Sequence, residues 1–347
     1  MPITRAPFGS THTGAAVELY TLTNAAGVEA RVATYGGTLV GLLAPDRHGK
    51  RADLLLGFDS LAGYLGAHPY FGSLIGRYGN RIARGRFTLN GVPYTLAINN
   101  RPNHLHGGPG GFHAALWHAE VQGEQLVLSH HSPAGEEGYP GALSVQVSYS
   151  LSDAGELRLD YLATTDAPTV LNLTNHAYFN LAGGGSILGH ELQLDAGQFL
   201  PVDDAQIPTG ELRPVVGTPM DFTAPTLIGA NIDADDEQLR GAKGGFDHCW
   251  IFGHGGDLGR AVARVREPGS GRVLELFTTQ PAVQFYTSNF LDGELRGKGG
   301  EVYQKHGAFC LETQHYPDAP NQPTFPSTVL RPGEQYQHTT IYRFSTE

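Results

Sequence analysis

Helical periodicity is almost absent from this 347-residue chain, and that absence limits its fold more than any single motif does. In its place stand short runs in which β-branched or aromatic residues alternate with polar ones. They are "VEARVATYGGTLVGLLAP" from Val28, "GRFTLNGVPYTLAI" from Gly85, "EQLVLSHH" from Glu124, "ALSVQVSYSLS" from Ala142, "ELRLDYLATT" from Glu156, "HELQLDAGQFLPV" from His190, "RVLELFTTQPAVQFYTSN" from Arg272 and "TTIYRF" from Thr339. A period of two places alternate side chains on opposite faces of a strand, so each run can bury one row and leave the other free. The 47 glycines and 22 prolines fall between the runs and mark reversals of direction. "LNGV" at 89–92 and "SDAGE" at 152–156 read as hairpin turns. One short helix is expected from Ser60 to Leu65, with Ser60 capping its first turn. The pattern predicts an all-β, mostly antiparallel protein, a large sandwich or barrel rather than βαβ winding. One large domain and two smaller ones both fit the length.

Several functions are excluded early. No stretch approaches the roughly 18–20 unbroken apolar residues of a membrane span. The start, "MPITRAPFGSTHTG", has no apolar signal-peptide run, and two cysteines, Cys249 and Cys310, cannot form a multi-bridge framework. A cytoplasmic location is expected. A formal charge of −11 without any Lys/Arg cluster argues against nucleic acid and anionic membrane as partners, since both are bound through concentrated positive charge. There is no GxGxxG, GxxxxGK[ST], GxSxG or CxxC, so nucleotide cofactors and serine-hydrolase chemistry have no support. "HELQL" at 190–194 opens like a zinc-protease helix, but Leu194 stands where the second histidine belongs. The loop "HLHGGPGGFH" offers His104, His106 and His113, yet nothing in the spacing forces them to converge on a metal; none is expected.

The chemistry concentrates in polar stretches on or beside predicted strands. In "LNLTNHAYFNL", residues 171–181, an extended backbone would put Asn172, Thr174, His176, Tyr178 and Asn180 on one face and Leu171, Leu173, Phe179 and Leu181 on the other. A face rich in amides, hydroxyls and imidazole but free of charge suits a polar ligand; a structural hydrogen-bonded ladder is the plainer alternative. "GRYGNRI" supplies Asn80 and Arg81, "NHLHGG" His106, "GFDHCWIF" Asp247, and "AVQFYTSN" Gln284. Glu312 is the sharpest candidate. It interrupts the apolar "AFCLET", where a carboxylate must be paired, hydrogen-bonded or used, and burial would raise its pKa towards that of a base working near neutrality. A satisfied ion pair is the competing reading for Glu312, and a turn-closing role for Asp247.

Together these stretches resemble the aldose 1-epimerase, or galactose mutarotase, family. The resemblance runs from "ATYGGTLVGLLAPDRHG" at 33–49 to "FPSTVLRPGEQY" at 325–336. "NLTNHAYFNL" is its most specific piece, and "GRYGNRIARGRF", "NHLHGG" and "ETQHYPDAPNQPTFPS" support it in the expected order. It implies one domain over residues 1–347, a large antiparallel β-sandwich of the galactose mutarotase type, with the sugar in an open cleft and no cofactor. It further implies His176 as general acid, Glu312 as general base and His106 assisting near the ring oxygen. Asn80, Arg81 and Tyr178 would line the sugar site, Asp247 would hold ring hydroxyls, and Gln284 would make a further sugar contact. A protonated imidazole, kept charged by nearby carboxylates, would act on a free aldohexose in a monomer or homodimer.

Three rival readings are a glycosidase with two carboxylates, a non-catalytic sugar-binding regulator, and an epimerase of hexose 6-phosphates, which needs basic residues at the cleft mouth. The chain departs from the family pattern at Tyr78, Gly79 and Ala177, positions expected to tune sugar preference if anything. Asn172-Leu-Thr matches a glycosylation acceptor that a buried strand would hide.

Overall fold

The structure is a computed structural model describing residues 3–347. Three antiparallel sheets carry it. The N-terminal sheet is a meander of Thr4–Ser10, Ala16–Thr23, Glu29–Ala33, Thr38–Pro45 and Arg51–Asp53. A nine-stranded sheet is built around Leu143–Leu151, Glu156–Thr165, Tyr336–Thr346 and Arg272–Thr278, which neighbour one another in that order. A second five-stranded sheet runs Arg213–Pro214, Gln198–Leu200, Asp247–Ile251, Ala282–Tyr286, Cys310–Gln314.

Period-two patterning becomes packing directly. Along Glu156–Thr165, Leu157, Leu159, Tyr161 and Ala163 are buried while Arg158 and Asp160 lie partly open and pair with each other. One continuous apolar cluster draws Val32 and Leu42 from the first sheet, Leu159 and Leu274 from the second, and Trp250, Phe285 and Leu311 from the third. Both hairpins form as expected, with Leu89 opposite Val92 and Leu151 opposite Leu157. At the first, Asn90 and Gly91 both adopt positive φ, 51° and 80°, the conformation a two-residue hairpin with right-handed strand twist requires.

The structure departs from expectation in two places. The helix is Leu61–Leu65, but the Ser60 side chain makes no capping bond; the turn is held by buried Leu61 and by Tyr64, whose hydroxyl accepts the Phe58 N–H. The 171–181 stretch is not one long strand. Only Thr174–Asn175 pairs, with Leu74–Ile75, and isolated bridges tie Asn172 to Tyr78 and Phe179 to Leu55 and Phe309. Every residue of it is buried. Parity still sorts the contacts: Leu171, Leu173, Ala177, Phe179 and Leu181 join the main core, and the even-numbered residues point away from it.

Candidate active site

Strand register brings the acidic groups together. Gln284 lies opposite both Cys249 and Glu312, and Asp247 opposite Tyr286. Facing residues in antiparallel strands share a side, so Asp247, Gln284, Tyr286, Cys310 and Glu312 stand on one face of the third sheet. The other face, with Trp250, Phe285 and Leu311, belongs to the core. The 171–181 segment crosses this polar face with His176 held by its own backbone: its N–H donates to Ser73 O and its carbonyl accepts the Gly72 N–H. The third contribution comes from the paired strands Arg81–Ile82 and His104–Leu105. Directly after the latter, His106 and Gly107 turn with φ of 52° and 83°. A Cβ on Gly107 would lie 1.8 Å from the Gly76 carbonyl oxygen, so only glycine permits this turn.

These elements enclose a cavity of about 240 Å³ lined by Asn80, Arg81, His106, His176, Tyr178, Asp247 and Glu312, seven of the eight residues read from the sequence. Tyr70, Asn100, Tyr286 and Phe290 complete much of the wall; sequence reading missed them. Tyr286 was within reach, since it sits two residues beyond Gln284 on the same strand face. Tyr70 and Asn100 lie in loops without any chemical pattern. The eighth residue, Gln284, is behind the cavity: its amide donates to Asp247 Oδ1 at 2.7 Å, orienting the carboxylate from below. Asn172, Thr174 and Asn180, grouped with His176 by parity, are outside the lining. Asn172 donates to the Gly79 carbonyl at 3.2 Å, and Asn180 to those of Gly185 and Gly307, the ladder role that was the plainer reading. Tyr78 and Ala177 are buried in apolar clusters, so neither tunes sugar preference by contact.

His176 Nε2 stands 3.6 Å from Glu312 Oε1, and both side chains are nearly inaccessible. Both shifts run against the expectation of a standing imidazolium. Burial pushes His176 down to about 3, and burial, reinforced by Asp247 and opposed by Arg81, holds Glu312 well above the usual carboxylate range. The reason is a comparison of magnitudes. At 3.6 Å and an effective dielectric of about 20, the two charges would attract by about 4–5 kcal/mol, while removing two ions from water costs several kcal/mol each. Among the described residues no donor reaches Glu312 Oε2 to offset that cost. Burial thus favours the neutral form of the pair over the ion pair. Asp247 is likewise raised by burial, against Arg81 and the Gln284 bond.

His106 is locked differently. The Asn80 backbone N–H donates to its Nδ1 at 3.1 Å, so the lone pair is on Nδ1 and the ring proton on Nε2. Burial, then His176 and Arg81, hold it neutral. The ligand atoms of His106, His176 and Glu312 lie within 4.8 Å of one another, a separation a transition metal would accept. The locked Nε2–H withdraws one of the three, however, because a metal needs that lone pair. The other loop histidines do not join: His104 uses Nδ1 on the Ala97 carbonyl and Nε2 on the Tyr139 hydroxyl, both at 2.7 Å.

Aromatic walls, amide and guanidinium donors, and an imidazole and a carboxyl group 3.6 Å apart on one face of an antiparallel sheet suit a polar, hydroxyl-rich ligand and the transfer of protons to it. Residues 18–343 match the family model for aldose 1-epimerase. The chain is 50% identical to galactose mutarotase of Bos taurus, covering 99% of this chain and 98% of that one. It is 39% identical to aldose 1-epimerase of Escherichia coli K12 over 96% and 97% of the two chains. A crystal structure of an aldose epimerase homologue from C. elegans superposes with a TM-score of 0.88 at 33% identity, covering 94% of this chain and 98% of that one. The chain belongs to the aldose 1-epimerase family, and its fold is the galactose mutarotase sandwich. Among the described residues no helix is long and apolar enough to cross a membrane.

Proposed function

We propose that the protein interconverts the α and β anomers of free aldohexoses such as galactose and glucose, acting as one domain with Glu312 as base and His176 as acid. The observation that carries this reading is the 3.6 Å separation of Glu312 Oε1 and His176 Nε2. Ring opening takes a proton from the C1 hydroxyl and gives one to the ring oxygen, and both oxygens are bonded to C1, so acid and base must stand close together on one side. The pair's single proton supports the cycle. From the ion-pair form, Glu312 accepts the hydroxyl proton while His176 donates to the ring oxygen, leaving an open aldehyde and a neutral pair. Burial favours the neutral form at rest as well, so the ion pair is first made by passing the Glu312 proton to His176 Nε2, and the cost of that transfer is part of the barrier. Rotation about C1–C2 and re-closure with the roles reversed yield the other anomer.

The remaining contacts follow from chemistry already described. His106 Nε2–H is a fixed donor to a sugar oxygen, Asp247 accepts from hydroxyls, and Arg81, whose Nε donates to Asn100 Oδ1 at 3.0 Å, offers its outer nitrogens. Tyr178, stacked on His176 with ring centroids 5.0 Å apart, keeps the acid in place. A cytoplasmic location suits two buried, free cysteines, and a small sugar is the only partner the reading requires, in a monomer or homodimer.

Polarimetry of freshly dissolved α-D-galactose and α-D-glucose, in EDTA buffer, tests the reading. The expected result is faster decay to the unchanged final rotation, lost in His176→Asn. No acceleration by a folded protein refutes it.

A further inference from the structure

The two site histidines differ in what holds the ring nitrogen remote from the partner carboxyl. His106 Nδ1 accepts from a backbone N–H, a partner that can only donate. His176 Nδ1 instead lies 3.6 Å from Cys310 Sγ, and the thiol is fully buried, on the strand that carries Glu312 and on the same face. We propose that Cys310 is a positioning residue whose sulfur accepts the Nδ1–H of His176, so that Nε2 is the only nitrogen that exchanges protons with the sugar. The inference rests on the reading of His176 as the acid.

The proton bookkeeping requires such a partner. As imidazolium, His176 carries protons on both nitrogens; after giving the Nε2 proton to the ring oxygen it must keep the one on Nδ1, or Nε2 could not take a proton back on re-closure. An acceptor beside Nδ1 serves both states, and the Cys310 sulfur at 3.6 Å is a weak one. Burial raises Cys310 well above the ordinary thiol value, with Glu312 and Asp247 adding to the shift, so it remains a neutral thiol. A carboxylate in its place would hold His176 permanently charged and make it a poor donor. A backbone donor, as at His106, would fix the opposite tautomer and leave no lone pair on Nε2. The sulfur therefore also explains which histidine moves protons: His106 is a static donor and His176 the shuttle.

The test is a pair of variants, Cys310→Ala and Cys310→Ser, assayed by polarimetry from pH 5 to 9 beside wild type and His176→Asn. The serine hydroxyl retains an acceptor; alanine does not. Cys310→Ala is expected to lose about fivefold to tenfold in kcat, the worth of one hydrogen bond, with KM within about twofold and a displaced pH profile. Cys310→Ser is expected to recover most of kcat and the profile. An alanine variant with wild-type kcat and pH profile overturns the proposal, as does a serine variant impaired as much as the alanine one, which would mark a packing effect. An active wild type with an inactive His176→Asn and an unaffected Cys310→Ala would sink this inference alone; an inactive wild type would sink the reading beneath it.

Discussion

Glu312→Gln should remove activity while strengthening the fold above acidic pH. Glutamine keeps the shape and one carbonyl oxygen but can neither take the hydroxyl proton nor ionise. A positioned acid–base group is worth roughly 10²- to 10⁴-fold, and kcat should fall by that factor with sugar affinity largely kept. Proton linkage sets the effect on stability. Folded Glu312 is raised above its unfolded value of 4.5, so its favourable contribution is fully present below pH 4.5 and is lost as pH rises through the folded value. Each pH unit across that interval costs the wild type about 1.4 kcal/mol; the glutamine variant has no group to lose a proton. Its advantage should therefore be near zero at pH 4.5 and grow as pH rises towards 7. Urea unfolding of both proteins at the two pH values measures it, with polarimetry alongside. A variant destabilised equally at both pH values, or one turning over within tenfold of wild type, would refute the reasoning.

The remaining expectations concern protons and positioning. Because His176 is held down to about 3 by burial, kcat should stay level well below pH 6.5, where a free imidazole would titrate, and should fall on the alkaline side as the pair loses its one proton; a polarimetric pH profile decides this. Buried His190 and His248, pushed by burial to about 4 and about 3, contribute stability that is present above pH 6.5 and lost as pH falls. Between pH 7.5 and 5.5 the two together should cost about 2–3 kcal/mol, and the double variant His190→Asn/His248→Asn should show a correspondingly flatter pH dependence in urea titrations. Gln284→Leu removes the donor to buried Asp247, so KM for galactose should rise about tenfold or more with kcat less affected, as steady-state polarimetry would show.

Sequence alone determined what is local. Period-two alternation and Asn-Gly type turns are properties of neighbouring residues, which is why most of the longer strands of the nine-stranded sheet and both hairpins were legible, and why Glu312 stood out as a carboxylate interrupting the apolar "AFCLET". Parity within 171–181 parted the main-core residues from His176 and Tyr178, although Tyr178 also packs in a second apolar cluster. Tertiary structure decided what depends on partners far along the chain. Asn172 and Asn180 have the same parity as His176, but the backbone they meet diverts them to structural roles. Gln284 is a sugar contact or a support for Asp247 according to the pairing of Asp247–Ile251 with Ala282–Tyr286, which no single segment encodes. Cys310 reaches His176 across 134 positions. Above all, the charge state of the site was hidden: a histidine beside a carboxylate suggests an ion pair on paper, and only the extent of burial, a sum over the surrounding chain, makes desolvation exceed their attraction and leaves the pair neutral.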